Sequence, residues 1–186
     1  MPEIVITEFM DEAAIQAAFA GRDVLYDPKL VDDPARLAAS LREARALIVR
    51  NRTQVRGALL ASAARLEVVG RLGVGLDNID VPACEARGIA VYPASGANDL
   101  SVAEYVITAA LMLLRRAWFA TARVAAGEWP RTESMGRELA GKRLGLVGYG
   151  AIARVTGRMA RDLGMSVGAY DPLLPADHPA WAGALR

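Results

Sequence analysis

Ten residues, Leu144-Gly-Leu-Val-Gly-Tyr-Gly-Ala-Ile-Ala153, constrain this chain more than any other stretch, because of what flanks them. Their spacing predicts a strand over Arg143–Val147, a glycine turn, a helix over Ala151–Leu163 and a second strand over Ser166–Tyr170 that ends at Asp171. In such a β-α-β unit Gly148 takes backbone angles closed to residues with a side chain. Gly150 has no Cβ, so a pyrophosphate can approach the backbone. Amides around Tyr149, Ala151 and Ile152 then point at that anion, helped by the helix dipole. Ala153 stands where a third glycine is usual and adds one methyl at a position that governs helix–strand packing. Asp171 follows Gly148 by 23 residues, close to the ~20 expected for a carboxylate that hydrogen-bonds ribose hydroxyls. A carboxylate there also repels a 2′-phosphate, which favours NAD over NADP. The plain alternative, a β-α turn with a chance aspartate, explains fewer of these features.

Composition narrows the remaining classes. Of 186 residues, 53% are hydrophobic and 23% charged, and the net charge is +1, so no basic surplus points to nucleic acid or an anionic membrane. Cys84 is the single cysteine, which excludes an internal disulfide and a cysteine metal cluster; no metal site is expected. The longest apolar run, Val102–Leu114, is broken by Glu104 and Tyr105 and is too short to span a bilayer. A cytoplasmic protein is expected.

The first hundred residues alternate strand and helix. Strands are predicted over Glu3–Thr7, Val24–Tyr26, Ala46–Val49, Leu66–Val69 and Ile89–Tyr92. Helices are predicted over Glu12–Ala20 with Asp11 as cap and Gly21 as stop, over Ala35–Ala44, through Leu59 and Leu60 with Thr53 as cap, and over Pro82–Arg87. This order implies a parallel sheet covered on both faces. Pro93–Asp99 reads as a linker, Leu100–Arg116 as a long helix, Trp118–Ala126 as a second helix stopped by Gly127, and Glu128–Arg137 as irregular.

Three further segments then carry a resemblance. Arg71-Leu-Gly-Val-Gly-Leu-Asp-Asn-Ile-Asp80, Arg87-Gly-Ile-Ala-Val91 and Asn98-Asp-Leu-Ser-Val-Ala-Glu104 occur in order. The chain resembles the D-isomer-specific 2-hydroxyacid dehydrogenases, which include phosphoglycerate dehydrogenases, hydroxypyruvate reductases and sulfolactate dehydrogenases. The resemblance implies an α/β fold with a flavodoxin-like substrate domain over 1–98 and part of a Rossmann NAD-binding domain over 99–186, with a cleft between them. It implies NAD as cofactor, a small anionic 2-hydroxy or 2-oxo acid as substrate, and a homodimer. Backbone amides at Val74 and Gly75 would hold the substrate carboxylate, as consecutive amides in a glycine-rich turn form an anion nest. Arg50, just past a strand end where open α/β sheets bind ligands, would meet the distal end of the substrate; Arg52 is as well explained as a solvated arginine. Asn98 and Ser101 open the long helix, where Ser101 serves equally as a cap, and Val102 would lie near the nicotinamide. Asp77, Asn78 and Asp80 read as turn-builders.

Relatives transfer hydride with an arginine, a glutamate and a histidine that lie well beyond the ribose-binding aspartate. His178, the single histidine, does not match that position and reads as a surface loop residue. The expectation is an NAD-dependent oxidoreductase represented by its substrate side and the first half of its cofactor domain, with no catalytic group in this chain and little turnover alone. The alternative is a non-catalytic NAD-binding or dimerisation module. A flavodoxin-like FMN binder is disfavoured, since no Ser/Thr-rich phosphate loop follows the first strand.

Overall fold

The apolar triplet Ile4-Val-Ile6 has no polar face to turn to water, and it folds as an interior strand with all three residues buried. The computed structural model describes residues 2–185. The chain divides into two compact units, one ending at Ser95 and the next beginning at Gly96. In the first, β1 (Ile4–Ile6), α1 (Glu12–Ala18), β2 (Val24–Tyr26), α2 (Pro34–Leu41), β3 (Ala46–Val49), α3 (Gly57–Ser62), β4 (Val68–Arg71), α4 (Val81–Ala86) and β5 (Ala90–Pro93) alternate as expected. All pairings are parallel and the sheet order is β2-β1-β3-β4-β5.

Register sets the core. Val5 pairs with Leu47 and Leu47 with Val69, and this row is fully buried. It packs with Leu37, Leu41, Leu60 and Cys84 from the helices of one face. Ile4, Ile6 and the half-buried Ala46 and Ile48 form the opposite face, closed by Ile15 and Phe19 around α1. Strands covered on both sides need apolar residues at every position, which is the pattern of β1 and β3. Local caps agree: Asp11 Oδ1 accepts the Ala14 amide at 2.9 Å, Asp33 Oδ1 accepts the Arg36 amide at 3.0 Å, and Pro34 opens α2.

The second unit contains α5 (Asp99–Arg115), α6 (Thr121–Ala125), β6 (Arg143–Val147), α7 (Ala151–Asp162) and β7 (Ser166–Tyr170). β6 and β7 pair in parallel, and Leu185 forms a parallel bridge to Gly168 on the far edge of β7. α5 packs along α7, and Ile107, Ala160, Met165 and Val167 form the core between them and the sheet. Gly157 lies in the middle of α7, where a Cβ would stand 3.4 Å from Val167 Cγ1 and 3.5 Å from Leu146 Cδ1. The close helix–strand approach assigned from sequence to Ala153 is therefore made one turn later.

Several expectations change. Thr53 does not cap α3: Arg56 holds that position with no side-chain hydrogen bond, while the buried Thr53 hydroxyl meets that of Thr7 at 2.8 Å. Ser101 does not cap α5, which starts at Asp99 behind Asn98. The strand expected at Leu66–Val69 lies at Val68–Arg71, because the Leu66 amide turns back to the Ala63 carbonyl. The helix expected over Trp118–Ala126 is a 3-10 segment, Ala117–Ala120, followed by the short α6.

The arm after α6 crosses the end of α5 at Gly136. A Cβ there would lie 2.5 Å from the carbonyl oxygens of both Leu114 and Arg115, beside the Arg137 amide donating to Leu114 at 2.8 Å. Backbone cannot yield as a side-chain tip does, so Gly136→Ala is expected to lower stability by about 1–3 kcal/mol. Chemical denaturation of the two proteins checks this; equal midpoints would refute the contact.

Candidate functional site

In parallel α/β sheets, loops at the carboxyl ends of strands converge on ligands. Arg50, Val74 and Gly75 all lie at that end of the first sheet, after β3 and β4. The three are exposed, Val74 by 42%. The loop Arg50–Thr53 is held from beneath by Glu8, which follows β1 and is only 5% exposed. Its Oε1 accepts the amides of Arg50 at 2.9 Å and Thr53 at 3.1 Å, and its Oε2 those of Asn51 at 3.2 Å and Arg52 at 3.1 Å. Burial pushes the Glu8 carboxyl up, but the amides of Arg50, Thr53 and Arg52, together with the Thr53 hydroxyl, outweigh it and leave the group below its ordinary value.

From the other side, the buried Asn78 donates from Nδ2 to the Thr53 carbonyl at 2.8 Å and to the Arg50 carbonyl at 3.3 Å. Asp80 caps α4 through the Ala83 amide at 3.0 Å. Both residues are turn-builders, and Asn78 ties the Arg50 loop to the segment that follows Val74–Gly75. The Arg50 guanidinium lies 5.9 Å from the Phe9 ring centre and donates to the Phe9 carbonyl at 3.4 Å. Arg52 instead forms an ion pair with Asp32.

Arg71 was not singled out from sequence. Its guanidinium lies over the glycine loop: a Cβ on Gly73 would stand 1.8 Å from Arg71 Nη1. Its buried Nε has no hydrogen-bond partner among the described residues. An arginine two residues before Gly-Val-Gly was the signal available.

The second unit carries the glycine turn. Gly148 has φ +85°, the left-handed region where glycine is favoured, and its amide donates to the Tyr170 carbonyl at 2.7 Å. Nothing lies within 4 Å of where a Cβ on Gly148 or Gly150 would be, and no side chain caps α7 at Gly150. The first-turn amides of Ala151 and Ile152 lack intrahelical acceptors by geometry. This open, uncapped helix start fits a diphosphate. The Tyr149 amide is already engaged, donating to Asp171 Oδ2 at 2.7 Å, so it is not one of the free donors expected there. The Tyr149 ring is buried and stacks on Trp181 at 5.4 Å between ring centres.

Asp171 Oδ1 accepts the Leu173 amide at 2.9 Å. The amides of Tyr149, Leu173 and Leu174 hold the Asp171 carboxyl below the usual carboxylate range. A carboxylate offers about four acceptor sites, so both oxygens keep capacity for a hydroxyl donor. Asn98 and Val102 stand at the start of α5, joined by the Val102 amide donating to the Asn98 carbonyl at 3.0 Å. His178 Nδ1 accepts the Ala180 amide at 3.1 Å and starts the 3-10 segment Pro179–Trp181, which gives it a structural role. Among the described residues, no three potential metal ligands gather, and no helix is long and apolar enough to cross a membrane.

A flavodoxin-like parallel sheet followed by a Rossmann-like β-α-β unit defines the chain as an α/β protein. The sequence profile described as the D-isomer specific 2-hydroxyacid dehydrogenase catalytic domain matches residues 4–170, and the chain belongs to this family. It is 56% identical over 97% of its length to an (S)-sulfolactate dehydrogenase of Chromohalobacter salexigens, of which it covers 59%. It is 38% identical over 95% of its length to D-3-phosphoglycerate dehydrogenase 2, chloroplastic, of Arabidopsis thaliana, of which it covers 28%. The chain thus spans well under two thirds of these relatives. The fold also matches that of a D-lactate dehydrogenase of Aquifex aeolicus solved with NAD and lactic acid, with a TM-score of 0.80 at 23% identity, covering 98% of this chain and 55% of that one.

The depressed Asp171 pKa has a definite sign. A carboxyl lowered in the folded state stabilises the fold above its unfolded value of about 3.9, and that contribution fades as pH falls through the folded value. Asp171→Asn is therefore expected to flatten the acid limb of stability below about pH 4. Thermal midpoints across that range report it, and superimposable limbs would refute it.

Proposed function

We propose that this chain provides the substrate-side sheet and the dinucleotide-binding turn of an NAD-dependent oxidoreductase that interconverts a D-2-hydroxy acid and its 2-oxo acid. The observation that carries this reading is the turn from β6 into α7, with its left-handed Gly148, uncapped Ala151 and Ile152 amides and neighbouring Asp171. Those amides hold the diphosphate, Asp171 accepts ribose hydroxyls, and Val102 flanks the nicotinamide. Bound NAD supplies the hydride acceptor and donor. Val74 and Gly75 amides take the substrate carboxylate, while Arg50 orients the rest. The 56% identity to a sulfolactate dehydrogenase supports a second anionic group on the substrate, a sulfonate, for Arg50 to meet.

A homodimer belongs to the same reading. Tyr105, Leu113, Trp118, Phe119, Trp129 and Met135, on α5 and the segment after it, are each more than 60% exposed. Aromatic side chains left in water on this scale mark an interface.

Titration of ¹⁵N-labelled protein with NAD should shift the Ala151 and Ile152 amides, and Gly148→Val should abolish the response. NADP should bind at least about tenfold more weakly, because its 2′-phosphate faces the Asp171 carboxylate. No shift at millimolar NAD would overturn the cofactor assignment. Sedimentation at micromolar concentration is expected to show a dimer that Trp118→Arg weakens; a clean wild-type monomer would count against it.

A further inference from the structure

In a 2-1-3-4-5 parallel sheet, chain connections leave in opposite directions from β1 and β3, and the gap between their carboxyl ends is where such folds take an anionic ligand. In this chain that gap is filled from within. Glu8 leaves β1, the loop Arg50–Thr53 leaves β3, and all four loop amides converge on the one carboxylate at 2.9 to 3.2 Å. Consecutive amides turned to one side form an anion-binding nest, and Glu8 occupies it as a bound anion would.

Two consequences follow for the loop. Its amides are no longer offered to a ligand, so only side chains can read a substrate there. Its shape is also that of a loaded nest whether or not substrate is present. The next residue, Phe9, then takes the Arg50 guanidinium through its carbonyl at 3.4 Å and its ring at 5.9 Å. Glu8–Phe9 thus holds Arg50 at both ends, backbone and guanidinium, while Arg52 is turned aside to Asp32.

We infer that Glu8 is a positioning residue for substrate selection: as a built-in anion, it fixes the loop so that Arg50 presents its guanidinium to the distal anionic group of the substrate. This rests on the reading of Arg50 as the group that meets that anion. Glu8→Gln keeps the size but replaces one acceptor oxygen with an N–H₂ that faces amide donors, so the loop loses its clasp.

The test uses the whole chain and two probes followed by NMR titration, 3-sulfolactate and D-lactate, which differ in the terminal sulfonate. Wild type should prefer sulfolactate, and Arg50→Ala should erase the preference. Glu8→Gln should reduce the preference by about tenfold or more while D-lactate binding holds, since a displaced orienting group loses its interaction steeply with distance. Adding Glu8→Gln to Arg50→Ala should change the preference no further. If Glu8→Gln does not fold, Glu8→Asp, which keeps the charge but draws it back by one methylene, carries the same comparison. A folded Glu8 variant with the wild-type preference overturns the inference while leaving Arg50 in place. A wild type with no preference, or an Arg50→Ala variant that keeps it, overturns the reading of Arg50 first. A Glu8 variant that weakens both probes equally shows a purely structural role and also overturns the inference.

Discussion

A carboxylate removed from water must find donors or give up its charge, and Glu8 finds four in one loop. The first unit is organised around that demand. The loop after β3 has to curl so that its amides face inward, which leaves the side chains of Arg50 and Arg52 facing outward. Thr53, drawn in at the end of the curl, is buried against Thr7. Asn78 completes the arrangement by taking the two carbonyls the curl exposes. An acid at the end of one strand thereby determines which groups another strand end can offer to solvent.

The second unit solves a similar problem with fewer side chains. Gly148 takes the left-handed turn, Asp171 ties the end of β7 back to Tyr149, and the start of α7 is left uncapped. In the first unit the converging amides are satisfied internally, whereas in the second the helix start keeps donors to offer. That contrast separates a loop that offers solvent only side chains from a helix start that still offers backbone amides.

Much of this was legible in the residues. β2, β3, β6 and β7 fall where the apolar runs place them: β3 is apolar at every position, as a strand covered on both faces must be, while β7 alternates buried Val167 and Ala169 with exposed Ser166 and Tyr170. Asp11 and Gly148 were readable because each answers a local rule, one for caps and one for left-handed turns. Thr53 and Ser101 misled because capping is a local preference that tertiary partners override: the Thr53 hydroxyl has a buried partner 46 residues away in Thr7. Glu8 could not be read at all, for its four partners lie more than 40 residues downstream and meet it only once β1 and β3 pair. Arg71 was hidden likewise, its importance lying in what it covers rather than in any spacing.

The stack of Tyr149 on Trp181, with ring planes nearly parallel at 8°, has an optical consequence. Of the three tryptophans, Trp118 and Trp129 are 62% and 81% exposed, whereas Trp181 is half-buried with its indole N–H donating to the Pro175 carbonyl at 2.7 Å. In the monomer an aqueous quencher such as iodide therefore extinguishes the first two preferentially. The emission that survives comes chiefly from an indole resting on the residue between Gly148 and Gly150, so the protein carries its own fluorescent gauge of that bend.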